Sequence, residues 1–142
     1  MRRTIGLLAI LGFFGLVAAA EAQAPPPSTG GTQFDGTYRL VSSVRVNKTY
    51  TSRKGQMGQC PNRVAGPLTI AQGQASYTTA TGYQVQGTVA PQGQLEMRAS
   101  APPTTGGSQP IQIILNGAID NTGTIRARQR SNLCSYDFVW RK

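Results

Sequence analysis

The chain contains no histidine, which removes the commonest general base, the usual Ser–His and Cys–His nucleophile pairs and most zinc sites. Cysteine is almost as scarce. Cys60 and Cys134 are the only two, too few for a thiolate metal site without imidazole partners. Acids are rare as well, since beyond residue 22 only Asp35, Glu96, Asp120 and Asp137 remain. A glycosidase-like mechanism needs two carboxyl groups about 5 to 10 Å apart across one cleft. Nothing in the placement of these four makes such a pair. Asp120 suits a turn and Asp35 a bend before Gly36. Enzymatic activity is therefore not expected, and no catalytic residue, metal ligand or cofactor is assigned. A convincing helical stripe is also missing after the first residues, which points away from helical folds.

What is present begins with an export signal. Arg2 and Arg3 form a basic start, "TIGLLAILGFFGLVAAA" is an apolar run, and "AEAQA" supplies small residues for cleavage. The run from Ile5 to Ala20 is shorter than the roughly 20 apolar residues of a membrane span. Residues 1–22 are read as a cleaved signal peptide, with Pro25 arguing against cleavage after Ala24. No transmembrane span is expected after cleavage, and the product is expected to be periplasmic or secreted. Without Arg2, Arg3 and Glu21, the 14 basic and 5 acidic residues reduce to a formal charge of +8. Such a balance favours acidic partners. In an exported chain two cysteines imply one disulfide, Cys60 to Cys134. Closing so long a loop stabilises a fold by roughly 4 kcal/mol in the chain-entropy model.

Residues 23–33, "QAPPPSTGGTQ", lack hydrophobic periodicity and read as a flexible tail. The domain is expected to cover residues 34–142. In "FDGTYRLVSSVRV", Phe34, Tyr38, Leu40, Val44 and Val46 fall on one face and Arg39, Ser43 and Arg45 on the other, with Val41 out of place. Further strands are expected at "GPLTIA", "QASYTT", "GYQVQGTV", "QLEMRAS", "IQIILNGAID", "TIRARQR" and "CSYDFVWR". Most links are short, so neighbours pair antiparallel. The expected fold is all-β, a single antiparallel up-and-down barrel or strongly curled sheet of about eight strands.

"VAPQGQL" and "IDNTGTI" share one pattern, a type I turn closed by a left-handed glycine, Gly93 or Gly123. This register sets Val89 opposite Leu95 and Ile119 opposite Ile125. Gly87 and Gly117 then face inward and permit tight coiling. "TATGY" reads as a third copy of the turn. The repeat carries scaffold geometry, since its acids do not coincide. If Ser131 and Asn132 formed a two-residue loop, Arg126 would lie across from Asp137 as a structural ion pair.

Between Asn47 and Arg63 lies the longest stretch without strand character, with Lys48, Tyr50, Arg53, Lys54 and Arg63 and no acid. These five residues are the candidate anion- or partner-binding set, and a solvated basic loop is the competing reading. "NKT" at Asn47 is a glycosylation sequon. Tyr38, Tyr77, Tyr136, Phe138 and Trp140 either fill the core or line an interior ligand cavity.

"FDGTYRL", the glycine hairpins and "CSYDFVWRK" resemble a group of small exported alphaproteobacterial proteins of unknown function. The resemblance covers roughly residues 34–142 and implies an envelope location and a β fold. The architecture is also similar to lipocalin and avidin barrels and to barrel-shaped periplasmic inhibitors, an analogy of fold alone. The expected function is a secreted, non-enzymatic binding module that engages an anionic envelope polymer or acidic protein through the basic stretch. Two alternatives are a carrier of a small apolar ligand inside the barrel and a periplasmic enzyme inhibitor acting through the tail. Nucleic acid is disfavoured, because the basic residues lack interleaved surface aromatics.

Overall fold

The computed structural model describes residues 31–102 and 110–142. Residues 1–22, read above as a signal peptide, and residues 23–30 of the expected tail lie outside the described residues. The strands are β1 (Gly36–Arg45), β2 (Thr49–Thr51), β3 (Met57–Gln59), β4 (Leu68–Ala71), β5 (Gln74–Thr78), β6 (Gln84–Val89), β7 (Gln94–Ala101), β8 (Ile111–Ile119), β9 (Thr124–Arg130) and β10 (Ser135–Arg141). Eight of them close an antiparallel barrel in the order β1, β10, β9, β8, β7, β6, β5, β4, while β2 and β3 form a hairpin of their own. All eight expected strands are present. The barrel closes because β1 pairs with β10 along most of its length and with β4 at its start.

Turn chemistry fixes the register, as the repeated pattern implies. In the three hairpins beginning at Thr79, Ala90 and Asp120, Gly82, Gly93 and Gly123 take φ of 85°, 88° and 73°. Their N–H groups bond back to the carbonyls of Thr79, Ala90 and Asp120. Val89 pairs with Leu95 and Ile119 with Ile125. Alternation then buries Leu95, Met97, Leu115, Ile125 and Ala127. Gly87 and Gly117 are where coiled strands approach most closely. A Cβ on Gly87 would lie 1.8 Å from the Glu96 carbonyl oxygen, and one on Gly117 would lie 2.4 Å from Ala127 Cβ.

One end of the barrel is plugged. The β6–β7 turn at Ala90–Gly93 and the β8–β9 turn at Asp120–Gly123 both lie here, and the Gly93 carbonyl accepts the Ile119 N–H at 2.8 Å. A 3-10 turn at Thr32–Phe34 sets Phe34 against the core, and the Gly31 N–H donates to the Val89 carbonyl at 2.9 Å. The chain is therefore docked from Gly31, three residues before the expected start. The Asp35 carboxylate accepts the N–H groups of Gln72 and Gly73 at 2.8 and 3.2 Å, so its structural role is to hold the β4–β5 turn.

The expected facing of β1 needs correction. Leu40 lies opposite Trp140, but Ser42 lies opposite Val139, so Val41 is an extra residue in a β-bulge. A bulge shifts the side-chain alternation by one. Beyond it Ser43 and Arg45 take the face of Phe138 and Tyr136, with Ser43 still exposed and Arg45 half-buried. Val44 turns outward and is 56% exposed, and Val46 is exposed as well. The residue out of place in the strand pattern is the bulge itself.

Gly117→Ala should destabilise the barrel by about 1–3 kcal/mol, because the added methyl group overlaps β9 and the sheet must uncoil to admit it. A fall in the urea midpoint measures this. A midpoint equal to wild type would show that the close β8–β9 approach is not required.

Candidate functional site

The opposite end of the barrel carries the basic stretch, and the structure divides that stretch into two parts. The first is the β2–β3 hairpin, paired as Thr49 with Gln59, Tyr50 with Gly58 and Thr51 with Met57. The turn at Ser52–Gln56 carries Arg53 and Lys54, both exposed. Gly58 lies under the Tyr50 ring, where a Cβ would come within 2.4 Å of it. The second part, Cys60–Gly66, has no strand ladder of its own, so its carbonyls, several of them partly buried, are satisfied by other partners. Side chains of β1 and β10 supply them. Arg45 Nη1 donates to the Cys60 carbonyl at 2.6 Å, Tyr136 OH to Pro61 at 2.9 Å and Trp140 Nε1 to Gly66 at 3.1 Å. Ser43 Oγ donates to the Arg63 carbonyl.

The expected disulfide is present, joining Cys60 to Cys134 across 74 residues, with both cysteines buried. Asn47 reinforces it from the end of β1. Its Nδ2 donates to the Leu133 carbonyl at 3.0 Å, and its Oδ1 accepts the Ser135 N–H at 2.7 Å. The sequon asparagine is thus a structural brace, and a glycan on Nδ2 would displace these bonds.

Between the hairpin, the Cys60–Gly66 segment and the ends of β8 and β9 lies a cleft of about 270 Å³. Its apolar wall includes Tyr50, Tyr83, Ile111, Ile113, Leu133 and Tyr136. Gln129 and Arg63 also line it, and among the described residues no acid does. Gln129 is 5% exposed, and its Oε1 accepts the hydroxyl of buried Tyr77. Arg63 Nη1 lies 3.4 Å from Oγ1 of Thr81, another lining residue. The wall is thus apolar, with hydrogen-bond donors at its floor and rim.

The candidate residues separate accordingly. Of the basic set, Tyr50 and Arg63 line the cleft, whereas Lys48, Arg53 and Lys54 stand exposed outside it. Of the five interior aromatics only Tyr136 reaches the cleft. Tyr38, Tyr77, Phe138 and Trp140 are core, with the Trp140 ring 5.5 Å from Tyr77 and 5.2 Å from Phe138. Burial pushes the Tyr77 hydroxyl well above its ordinary pKa, so it stays a neutral donor to Gln129. Gln129 was not among the candidates. Its signal in the sequence is a polar residue at the third inward position of "TIRARQR", after Ile125 and Ala127.

The acids do not gather into a site. Among the described residues no group of three or more His, Cys, Asp or Glu could hold a metal ion. Asp120 caps its own turn, accepting the Thr122 and Thr124 N–H groups at 2.9 and 3.0 Å. The hydroxyl of Thr122 donates to the same oxygen and holds the carboxyl below the usual range. The ion pair expected between Arg126 and Asp137 is replaced by one between Arg128 and Asp137, at 2.6 and 2.8 Å. The β9–β10 loop spans Ser131–Cys134 rather than two residues, closed by the Ser131 N–H on the Cys134 carbonyl. That moves Arg128 opposite Asp137 and Arg126 opposite Val139.

Comparison with protein-family models, curated proteins and solved structures finds no match. The site is therefore read from its own chemistry. Among the described residues no helix is long and apolar enough to cross a membrane.

The Arg128 hydrogen bonds hold the Asp137 carboxyl below the usual carboxylate range. A depressed folded-state pKa stabilises the fold above the unfolded value, near 3.9, and that contribution is lost as pH falls through the folded value. Both side chains are nearly half exposed, at 46% and 43%, so the pair is worth at most about 1 kcal/mol. Asp137→Asn should lose up to that amount at pH 7, and the gap to wild type should close below about pH 4. Urea unfolding at the two pH values checks this, with Arg126→Ser as the neutral comparison.

Proposed function

We propose that the chain is a non-enzymatic binding module, periplasmic or secreted, that engages an anionic envelope polymer through the basic end of the barrel. One observation carries this reading, the cluster of cations at the open end, which stands beside further exposed cations, Arg39, Arg126, Arg141 and Lys142, toward the plugged end. Lys48, Arg53, Lys54 and Arg63 lie at the open end, with Arg130 at the adjoining end of β9. Asp35 and Asp120 hold turns at the plugged end, Glu96 lies on the outer wall, and Asp137 is neutralised by Arg128. Exposed like charges within a Debye length of about 10 Å add their fields and steer anions to one face. A polymer meets several of these cations at once, which an isolated anion does not. The export signal read from residues 1–22 supports an envelope setting.

The test is retention on a sulfated or carboxylated polysaccharide by the oxidised mature chain, beside the variant Lys48→Ser/Arg53→Ser/Lys54→Ser. The variant should elute at lower salt, with affinity at 0.15 M salt reduced about tenfold or more if each lost cation contributes several tenths of a kcal/mol. Equal retention of the two proteins would contradict the reading. Binding to an acidic protein but to no polysaccharide would reassign the partner to the protein class.

A further inference from the structure

We infer that the cleft at the open end is a binding site for a small organic carboxylate with a flat apolar body, recognised by the side-chain amide of Gln129 and the guanidinium of Arg63. This site is separate from the exposed cations of the hairpin, since Lys48, Arg53 and Lys54 do not line it.

Gln129 is the key observation. It lies on the inward face of β9, 95% removed from solvent, in an otherwise largely apolar wall. A buried amide in such a place is costly unless its hydrogen-bonding groups are used. The Tyr77 hydroxyl satisfies Oε1 and thereby fixes which way the amide points. Among the described residues no group accepts from Nε2, and since no buried side-chain nitrogen lacks a partner, Nε2 opens onto the cleft that the residue borders. The amide is therefore set to donate to an occupant of the cleft. Arg63 also only donates, and of its guanidinium nitrogens only Nη1 has a partner among the described residues, the 3.4 Å contact to Thr81. The Tyr136 hydroxyl donates to Pro61, and Ser131 Oγ donates to the Cys134 carbonyl. The cleft thus offers an amide donor at its floor and a cation at its rim.

The complement of that donor set is a group that accepts and carries negative charge. A carboxylate meets both conditions, whereas an ammonium ion meets neither. The body of the ligand follows from the walls and the volume. Tyr50, Tyr83, Tyr136, Ile111, Ile113 and Leu133 supply flat and branched apolar surface. A cavity of about 150 Å³ holds one benzene ring, so 270 Å³ matches two fused rings or one ring with a short chain.

The experiment uses 2-naphthoic acid, its methyl ester, 2-naphthalenemethanol and 2-(aminomethyl)naphthalene with the oxidised mature chain, and follows naphthalene fluorescence and the heat of binding. The acid should bind saturably at one site, the ester and the alcohol more weakly, and the amine least. Gln129→Leu should weaken the acid and the ester alike, each by about tenfold. Arg63→Ser, at the rim and away from the packed core, should weaken the acid while leaving the ester unchanged. It keeps the test valid even if Gln129→Leu lowers stability. No saturable binding of the acid, equal affinity for all four compounds, or an unchanged acid affinity in both variants would overturn the inference. The polysaccharide assay on the same proteins separates the two proposals. Lys48→Ser/Arg53→Ser/Lys54→Ser should keep naphthoate binding, and Gln129→Leu should keep polysaccharide retention.

Discussion

Cys60–Gly66 is held in place from inside the barrel, and the open end takes its shape from that restraint. β1 pairs with β4 only as far as Tyr38 and Leu68, while it pairs with β10 out to Arg45. Beyond Tyr38 the wall between β1 and β5 has no strand ladder. The Cys60–Gly66 segment runs beside this gap, with the Gly66 N–H on the Thr78 carbonyl and the Ser43 hydroxyl on the Arg63 carbonyl. Carbonyls removed from water without partners would cost free energy comparable to a lost hydrogen bond, and these are partly buried. Arg45, Tyr136 and Trp140 remove that cost, and the Cys60–Cys134 bond fixes the segment to the β9–β10 loop. The bulge at Val41 is part of the same arrangement. Without the extra residue, Ser43 and Arg45 would face solvent and the segment would lose two of its anchors.

The two ends of the barrel consequently differ in kind. At the plugged end, turn carbonyls, the Asp35 carboxylate and the Phe34 ring consume the available partners. At the open end the segment and the β2–β3 hairpin stand away from the ends of β8 and β9, and the cleft lies between them. The deep interior is filled by Trp140, Tyr77, Phe138 and Tyr38. The cleft thus lies at the same end as Lys48, Arg53, Lys54 and Arg63, and both functional proposals rest on that coincidence.

Much of the scaffold was legible from alternation and turn chemistry, because each acts within a few residues. The left-handed glycines at 82, 93 and 123 set the hairpin registers, and the registers set the inward residues. What was not legible depends on contacts far apart in sequence. The direction of Ser43 and Arg45 follows from a bulge that becomes evident only when β10 is laid beside β1. The four-residue β9–β10 loop depends on Asn47 and the disulfide, and it moved the ion pair from Arg126 to Arg128. The basic stretch looked like one loop. Its composition carried no sign that half of it would be bonded from within. Gln129 left a local trace, a polar residue in an inward position, but its meaning required the Tyr77 hydroxyl, 52 residues away.

The central claim is that the open end, with its anchored segment and cleft, is the binding face of the molecule. Backbone amide shifts of the isotope-labelled mature chain, titrated with an anionic polysaccharide and with 2-naphthoate, test it most directly. The account predicts that polysaccharide perturbs residues 47–59, that naphthoate perturbs Arg63, Gln129 and residues 131–134, and that the turns at 90–93 and 120–123 stay still. Perturbations centred on those turns, or spread over the outer-wall arginines Arg39, Arg126 and Arg141, would contradict it.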